Sequence, residues 1–184
     1  KPRVPLSPEH RRAAEYIRTH LQQAGFIVEE DRFSEAGFTG LNLLTRPLPD
    51  RPELPLVIVG AHYDSVPGSP GADDNASAVA ALLELAGAIR PYLDQPLAHR
   101  LQLAAYDLEE YGFVGSFLHC RALARDGSDV RGMISLEMLG YTDHQPGSQR
   151  LPPQLVGLYP SVGHFIGVCG NEASRGMVQT VTEA

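Results

Sequence analysis

Histidine and carboxylate residues gather in four short stretches of this chain, each just where an apolar run gives out. They are Gly60-Ala61-His62-Tyr63-Asp64-Ser65, Gly71-Ala72-Asp73-Asp74-Asn75-Ala76-Ser77, Asp107-Leu108-Glu109-Glu110-Tyr111-Gly112 and Leu136-Glu137-Met138. Imidazole and carboxylate are the donors that zinc and harder divalent cations take, and a chain can converge them from the ends of several strands. Together they amount to most of a two-metal hydrolytic site. A fifth donor, needed to close a second metal position, is not evident before Ala184.

Taken singly, each stretch also has a plain structural reading. His62 and Asp64 stand two apart, so in extended chain their side chains point the same way, and Asp64 can accept the second N–H of the imidazole. An ordinary His–Asp pair has the same spacing. Asp73 and Asp74, between Gly71 and a helix start, can simply complement the helix dipole. A carboxylate there can also bridge two cations, and a two-metal site needs such a bridge at a separation of ~3.5–4 Å. Glu109 and Glu110 close a buried strand. Adjacent side chains diverge there, so one can bind metal while its neighbour takes a proton from water; alone, the pair is equally an exposed acidic turn. Glu137 ends another apolar run and has a similar plain reading. The four agree in order and in placement, which the separate plain readings leave unexplained. The metal-site reading is therefore preferred.

Hydrophobic period and turn residues predict the elements that must position these groups. Ser7-Pro8-Glu9 is a helix start, with Ser as N-cap and Pro at the first helical position. Ala14, Ile17, Leu21 and Ala24 repeat at helical steps, and Gly25 is placed to end the helix. Phe26–Val28 and Leu41–Leu44 read as strands, and the Pro-rich stretch from Pro47 to Pro55 as a connection. Leu56-Val57-Ile58-Val59-Gly60 has the continuous apolar character of a strand buried on both faces. An Ala/Leu-rich helix over Ala76–Arg90, with Asn75 or Ser77 near its cap, a strand over Leu101–Tyr106, a helix over Gly115–Arg125 closed by Gly127, and a third buried strand over Gly132–Glu137 follow. The alternation predicts an α/β fold, a central mostly parallel mixed sheet with helices on both faces. In open sheets of this kind, sites form beyond the carboxyl ends of the strands, where all four stretches fall. After Gly140 the signal weakens: Thr142–Pro153 reads as a loop or flap, Leu155–Leu158 and His164–Cys169 as two further strands, and Glu172–Ala184 as a helix without a stop signal.

Composition narrows the partners. A length of 184 residues suits a single domain, and 43% hydrophobic with 20% charged residues is ordinary for a globular chain. A net charge of -7 argues against nucleic acid, since no basic excess exists to displace counterions. Arg3, Arg11, Arg12 and Arg18 make the N-terminus locally basic, which at helical spacing reads as a solvated face. Cys120 and Cys169, far apart in apolar neighbourhoods, are expected to be buried free thiols. No run of about 18 apolar residues predicts a transmembrane helix. No signal peptide is read at Lys1, which leaves the compartment open.

His62-x-Asp64, the Gly-Ala-Asp-Asp-Asn-Ala-Ser segment, Glu109-Glu110-Tyr111-Gly112 and Leu136-Glu137-Met138 resemble the co-catalytic zinc aminopeptidases. That clan also holds carboxypeptidases, glutaminyl cyclases and receptor ectodomains that have lost their metals, and its members are often secreted or periplasmic. The likeness runs from about Ser7 to Tyr141. Carried over position by position, it implies that His62 is a zinc ligand oriented by Asp64, and that Asp74 is the bridging carboxylate, with a cis peptide to Asn75. It implies Glu109 as general base, Glu110 as a ligand of the second Zn2+, and Glu137 as a ligand of the zinc that His62 binds. The implied substrate is a peptide with a free N-terminus. Two departures stand out. The family's usual residue at position 137 is Asp, and Glu is about one C–C bond (~1.5 Å) longer. The family's last ligand, a His in a Ser-Asp-His-like segment, has no counterpart here; His144 and His164 read as structural. One tight Zn2+ site at most is therefore expected, in a single zinc-exopeptidase domain over residues 1–184 that is incomplete at its C-terminus. Glutaminyl-cyclase-like acyl transfer, or a catalytically weak or inactive binding domain on the same scaffold, are the alternatives.

Overall fold

The computed structural model describes residues 1–35 and 37–183. Two compact units divide the chain, Lys1–Leu139 and Gly140–Ala184.

The first unit opens with helix α1 (Pro8–Gln23), whose N-cap Ser7 accepts a hydrogen bond from the His10 N–H. Its Ala14, Ile17 and Leu21 form the buried stripe that the helical period predicts. Strands β1 (Val28–Glu35) and β2 (Phe38–Thr45) follow, then β3 (Leu56–His62), helix α2 (Ala78–Ile89), β4 (Arg100–Tyr106), helix α3 (Val114–Arg125) and β5 (Val130–Ser135). The five strands form one sheet in the order β1-β2-β4-β3-β5. β3 lies between β4 and β5 and is parallel to both, while β1 and β2 add antiparallel pairings.

Period-two alternation sorts the core into two layers. Val59 and Ala61 of β3, with Leu101, Leu103 and Ala105 of β4, pack under Ile17 and Leu21 of α1 and Val79 and Leu82 of α2. Leu56, Ile58, Ala104 and Tyr106 face the other way and meet Leu123 of α3. Helices thus cover both faces, and the parallel strands β3, β4 and β5 run their carboxyl ends toward one edge.

Three expectations of the sequence need correction in this unit. The first strand begins at Val28 and continues to Glu35; Phe26 packs in the core ahead of it. β5 stops at Ser135, two residues short of Glu137, and its residues are exposed or half-buried, because it pairs on one side only among the described residues. Cys120 is free but exposed; the buried position on α3 is its neighbour His119, and one residue turns a helix face by about 100°.

In the second unit neither predicted strand forms. Pro153–Leu155 is a single 3-10 turn, and Val156 and Tyr159 make an isolated bridge. His164–Cys169 is irregular, and Cys169 is exposed and free. Apolar residues there are too short a run, between Gly and Pro, to sustain a ladder. Asn171 caps a 3-10 turn that leads into helix α4 (Arg175–Glu183); Ala184 lies outside the described residues. The rings of His144 and His164 meet edge to face at 5.3 Å.

Candidate metal centre

His62 is the last residue of β3, where the strand leaves the protection of its neighbours. Its side chain is only 3% exposed, and Nε2 looks out toward three carboxylates. Asp74 Oδ1 lies 3.1 Å away, Glu137 Oε1 3.5 Å and Glu109 Oε2 3.8 Å. These three arrive from the turn before α2, the segment after β5 and the segment after β4. His62, Asp74 and Glu137 offer one ligand atom each within 4.8 Å of one another, the one such group among the described residues.

Asp64 sits behind the imidazole, fully buried. Its oxygens accept the backbone N–H groups of Glu109 (3.1 Å) and Glu110 (3.3 Å), so the exit of β3 is tied to the exit of β4. Asp64 Oδ1 is also 3.3 Å from His62 Nδ1. The contact is too poorly aligned to count as a full hydrogen bond, yet Asp64 still favours the protonated imidazole by its proximity and its charge. Glu110 carries its carboxylate within the field of Asp74, His62 and Asp64.

The turn that carries Asp74 runs Ala72–Ser77 and is kinked at Asp74 and Asn75, with a cis peptide between them. Asn75 is buried completely, not serving as a simple helix cap. Its amide donates to Leu136 O (3.0 Å) and Glu137 Oε2 (3.2 Å), and its carbonyl accepts the Met138 N–H at 3.1 Å. Ser77 Oγ accepts the Leu139 N–H at 2.9 Å and donates to Asp73 O. The turn therefore fixes the segment bearing Glu137, which compensates for β5 ending early. Asp73, beside Asp74, points its Oδ1 at Ser77.

Electrostatics mark the cluster as short of positive charge. Burial alone lowers the pKa of His62, but the nearby Asp64, Glu109 and Glu137 overcome it and hold the imidazole up at about 9. Glu109 and Glu137 are both raised, first by burial and then by neighbouring carboxylates, with His62 pulling the other way. Glu110 is raised by burial and by Asp74. One imidazole Nε2 has a single proton, and three carboxylates compete for it. A cation fits better. Two donors each ~2.0–2.1 Å from zinc at the tetrahedral angle stand about 3.3 Å apart, and the Nε2–Asp74 and Nε2–Glu137 separations of 3.1 and 3.5 Å bracket that value.

A second His–carboxylate contact lies nearby. His10 Nε2 is 2.7 Å from Asp107 Oδ1, and Asp107 also accepts the N–H groups of Leu41 and Leu108. A concavity of about 510 Å³ between α1 and α2 contains none of the six candidate residues and is lined mainly by apolar side chains such as Ile17, Val79 and Leu83.

Sequence comparison decides the family. Residues 42–180 match the model of Peptidase family M28. The chain belongs to that family. The M28 chain is 38% identical to the Escherichia coli protein YfbL over 187 residues, covering 94% of this chain and 55% of YfbL. It is 31% identical to leupeptin-inactivating enzyme 1 of Streptomyces exfoliatus, covering 71% of this chain and 30% of that protein. Among solved structures, the LapA aminopeptidase of Legionella pneumophila superposes with a TM-score of 0.68 at 21% identity, over 79% of this chain and 41% of LapA. A glutaminyl cyclase of Porphyromonas gingivalis gives 0.63 at 26% identity, over 79% of this chain and 56% of the cyclase. The chain thus spans about half, or less, of the curated relatives it matches.

Sequence reasoning missed two residues of this site. Asn75 is legible only as a cap candidate and as the residue after the implied cis peptide, because its partners, the Leu136 and Met138 backbone and the Glu137 carboxylate, lie 61 to 63 residues away. Arg3 reads as part of a solvated basic face, yet its guanidinium is bound to the carbonyls of Tyr63, Pro70 and Gly71.

Proposed function

We propose that the protein is a zinc-dependent aminopeptidase, releasing residues from the free N-terminus of peptides. The observation that carries the reading is the convergence of three carboxylates on the one outward nitrogen of buried His62. His62, Asp74 and Glu137 would hold one zinc ion. Asp74 and Glu110 would face a second position; among the described residues no second group of three candidate ligands is brought together. Zinc held by His62, Asp74 and Glu137 would supply Lewis-acid chemistry, polarising a carbonyl and acidifying water.

The side chains do the rest. Glu109 stands beside the ligand cluster without belonging to it, its backbone fixed by Asp64. Its carboxylate accepts the proton of the attacking water and returns it to the departing amine. The upward shift of its pKa by burial makes it a better base for that task. The carboxylates around the cluster also favour a protonated α-amine, which suits a substrate with a free N-terminus. The Glu at position 137, with its Oε2 on Asn75 and its Oε1 toward His62, is supported in the pose a ligand needs despite its extra length.

Elemental analysis of the purified protein, with release of N-terminal residues from a small peptide panel, tests the reading. Zinc at one equivalent and chelator-sensitive release are expected; neither metal nor release would sink it. Likeness to a glutaminyl cyclase at 26% identity favours a second reading, acyl transfer at the same site. A peptide beginning with Gln separates the two: loss of ammonia without shortening identifies the cyclase, and loss of the Gln residue the peptidase.

A further inference from the structure

Arg3 reaches toward the site from a segment ahead of α1. Nε donates to Tyr63 O at 2.7 Å, Nη1 to Pro70 O at 2.9 Å and Nη2 to Gly71 O at 2.9 Å. Its backbone is held as well: the Arg3 N–H donates to Ser65 Oγ at 2.8 Å, and Arg3 O accepts the Ser65 N–H at 3.2 Å. One planar group therefore spans both ends of the link that joins His62 to Asp74. Three carbonyls in a fixed fork suit a guanidinium, whereas an ammonium on a flexible stem is a point charge with no such preset geometry. Gly71 completes the fit. It sits at φ +63, and a Cβ there would stand 2.6 Å from both Arg3 Nη2 and Asp74 O. Burial depresses the Arg3 pKa, while Asp64, Asp74 and Glu110 act to raise it, so the group lies inside the field of the acidic cluster.

We propose that Arg3 is a positioning residue that locks the 63–71 link, presents Asp74 to His62 and thereby sets the metal affinity of the His62–Asp74–Glu137 group. This rests on the metal-centre reading above. A merely structural arginine would loosen the whole unit when removed. A merely electrostatic one would be replaceable by lysine.

Two measurements on the 184-residue chain separate these cases: hydrogen exchange of the metal-free form, and zinc affinity by competition with a chromophoric chelator. In Arg3→Met, amides within residues 63–76 should exchange at least about tenfold faster, with β3 and β4 unchanged. Zinc affinity should fall about tenfold, the low end of the 10–100-fold loss typical when a supporting partner of a ligand is removed. Arg3→Lys should recover only part of it, and added guanidinium ion should restore Arg3→Gly where methylammonium does not. Unchanged exchange in 63–76, a rise spread over the whole unit, or complete recovery with lysine would each overturn the proposal. Should Arg3→Met not fold, Arg3→Lys decides by the same loop-confined exchange. Wild-type protein that takes up no zinc would sink the function proposed above before any substitution is made. Zinc bound equally by wild type and Arg3→Met would sink the clamp alone.

Discussion

Two buried histidines in the first unit face carboxylates near the same edge of the sheet, and they are built on opposite terms. His10 meets Asp107 at 2.7 Å, and the remaining capacity of Asp107 is taken by the Leu41 and Leu108 N–H groups. His10 also stacks on Tyr63 with ring centroids 4.9 Å apart. No buried side-chain nitrogen or oxygen of that network is left without a partner, and the network joins α1, β2 and the end of β4. His62 has three carboxylates around Nε2 at 3.1 to 3.8 Å and a buried Nδ1 with no hydrogen bond. Side-chain exposure differs accordingly: Asp107 is 0% exposed, whereas Asp74 and Glu137 are 46% and 47% exposed. A His beside an acid is thus no mark of a site. Acidic groups left in excess around one imidazole, at an opening to solvent, are.

The largest effect that would sharpen this contrast concerns Glu109. Glu109→Gln should keep fold and zinc content while turnover falls ~10²–10⁴-fold, the usual contribution of a general base, with substrate binding little changed. Glu110→Gln should lose zinc affinity along with activity. Equal zinc loss in the two variants would show that the pair has been assigned the wrong way round.

Next comes the saturated pair. Asp107→Ala leaves His10 and two backbone N–H groups buried without their acceptor, and each buried donor left unsatisfied costs about 1–3 kcal/mol. Denaturant melts should show that loss, with zinc affinity preserved in whatever fraction folds. Asp74→Asn should do the reverse. It relieves repulsion around His62, so the metal-free protein should be no less stable, yet it should lose zinc. A large destabilisation by Asp74→Asn would erase the distinction between the two networks.

A third measurement uses the metal itself. Zinc at 100 times its Kd should stabilise the protein by about 2.7 kcal/mol, seen as a melting shift reversed by chelator. The shift should vanish in Asp74→Asn and survive in Tyr106→Phe, which alters only the hydrogen bond to buried His119 on the α3 face. Zinc stabilisation that persists in Asp74→Asn would place the metal elsewhere.

What could be read from the sequence follows from where the information lies. Leu56–Gly60 is apolar at every position because both faces of β3 are covered, so the break at His62 stands out. Asp64 falls on the same side two residues on. Three of the four stretches follow apolar runs and sit at the ends of β3, β4 and β5, the fourth opens α2, and the structure brings Asp74, Glu109 and Glu137 within 3.8 Å of His62 Nε2. Asp107 lies in the same stretch as Glu109 but is committed to His10, 97 residues away in the chain, and no local pattern reveals such a partner. Arg3 was hidden for the same reason: its acceptors are carbonyls, which every residue has. β5 looked buried because Met133, Ile134 and Leu136 are apolar, yet an edge strand exposes part of what it carries. Leu155–Leu158 and His164–Cys169 had apolar composition without the neighbours that turn it into a sheet.

The smallest expected effect probes how the turn and the acidic segment are joined. Asn75 is the only side chain described that bonds both to Glu137 and to the backbone on either side of it. Asn75→Ala removes the donor from Glu137 Oε2 and the acceptor from the Met138 N–H, so Glu137 keeps its charge but loses its fixed pose. Zinc affinity should fall about tenfold, or ~1.4 kcal/mol, at the mild end for loss of a supporting group. Asn75→Asp should do worse despite its near-identical shape. Its carboxylate can still accept from Met138, but it cannot donate to Glu137 and adds a negative charge to a cluster already crowded with them. The order of affinities, wild type above Ala above Asp, separates orientation from space filling, because a space-filling role would leave Asp close to wild type. If Asp binds zinc as well as Asn does, Glu137 is held by something other than this amide, and the contrast between the saturated and the open network loses its link to the metal.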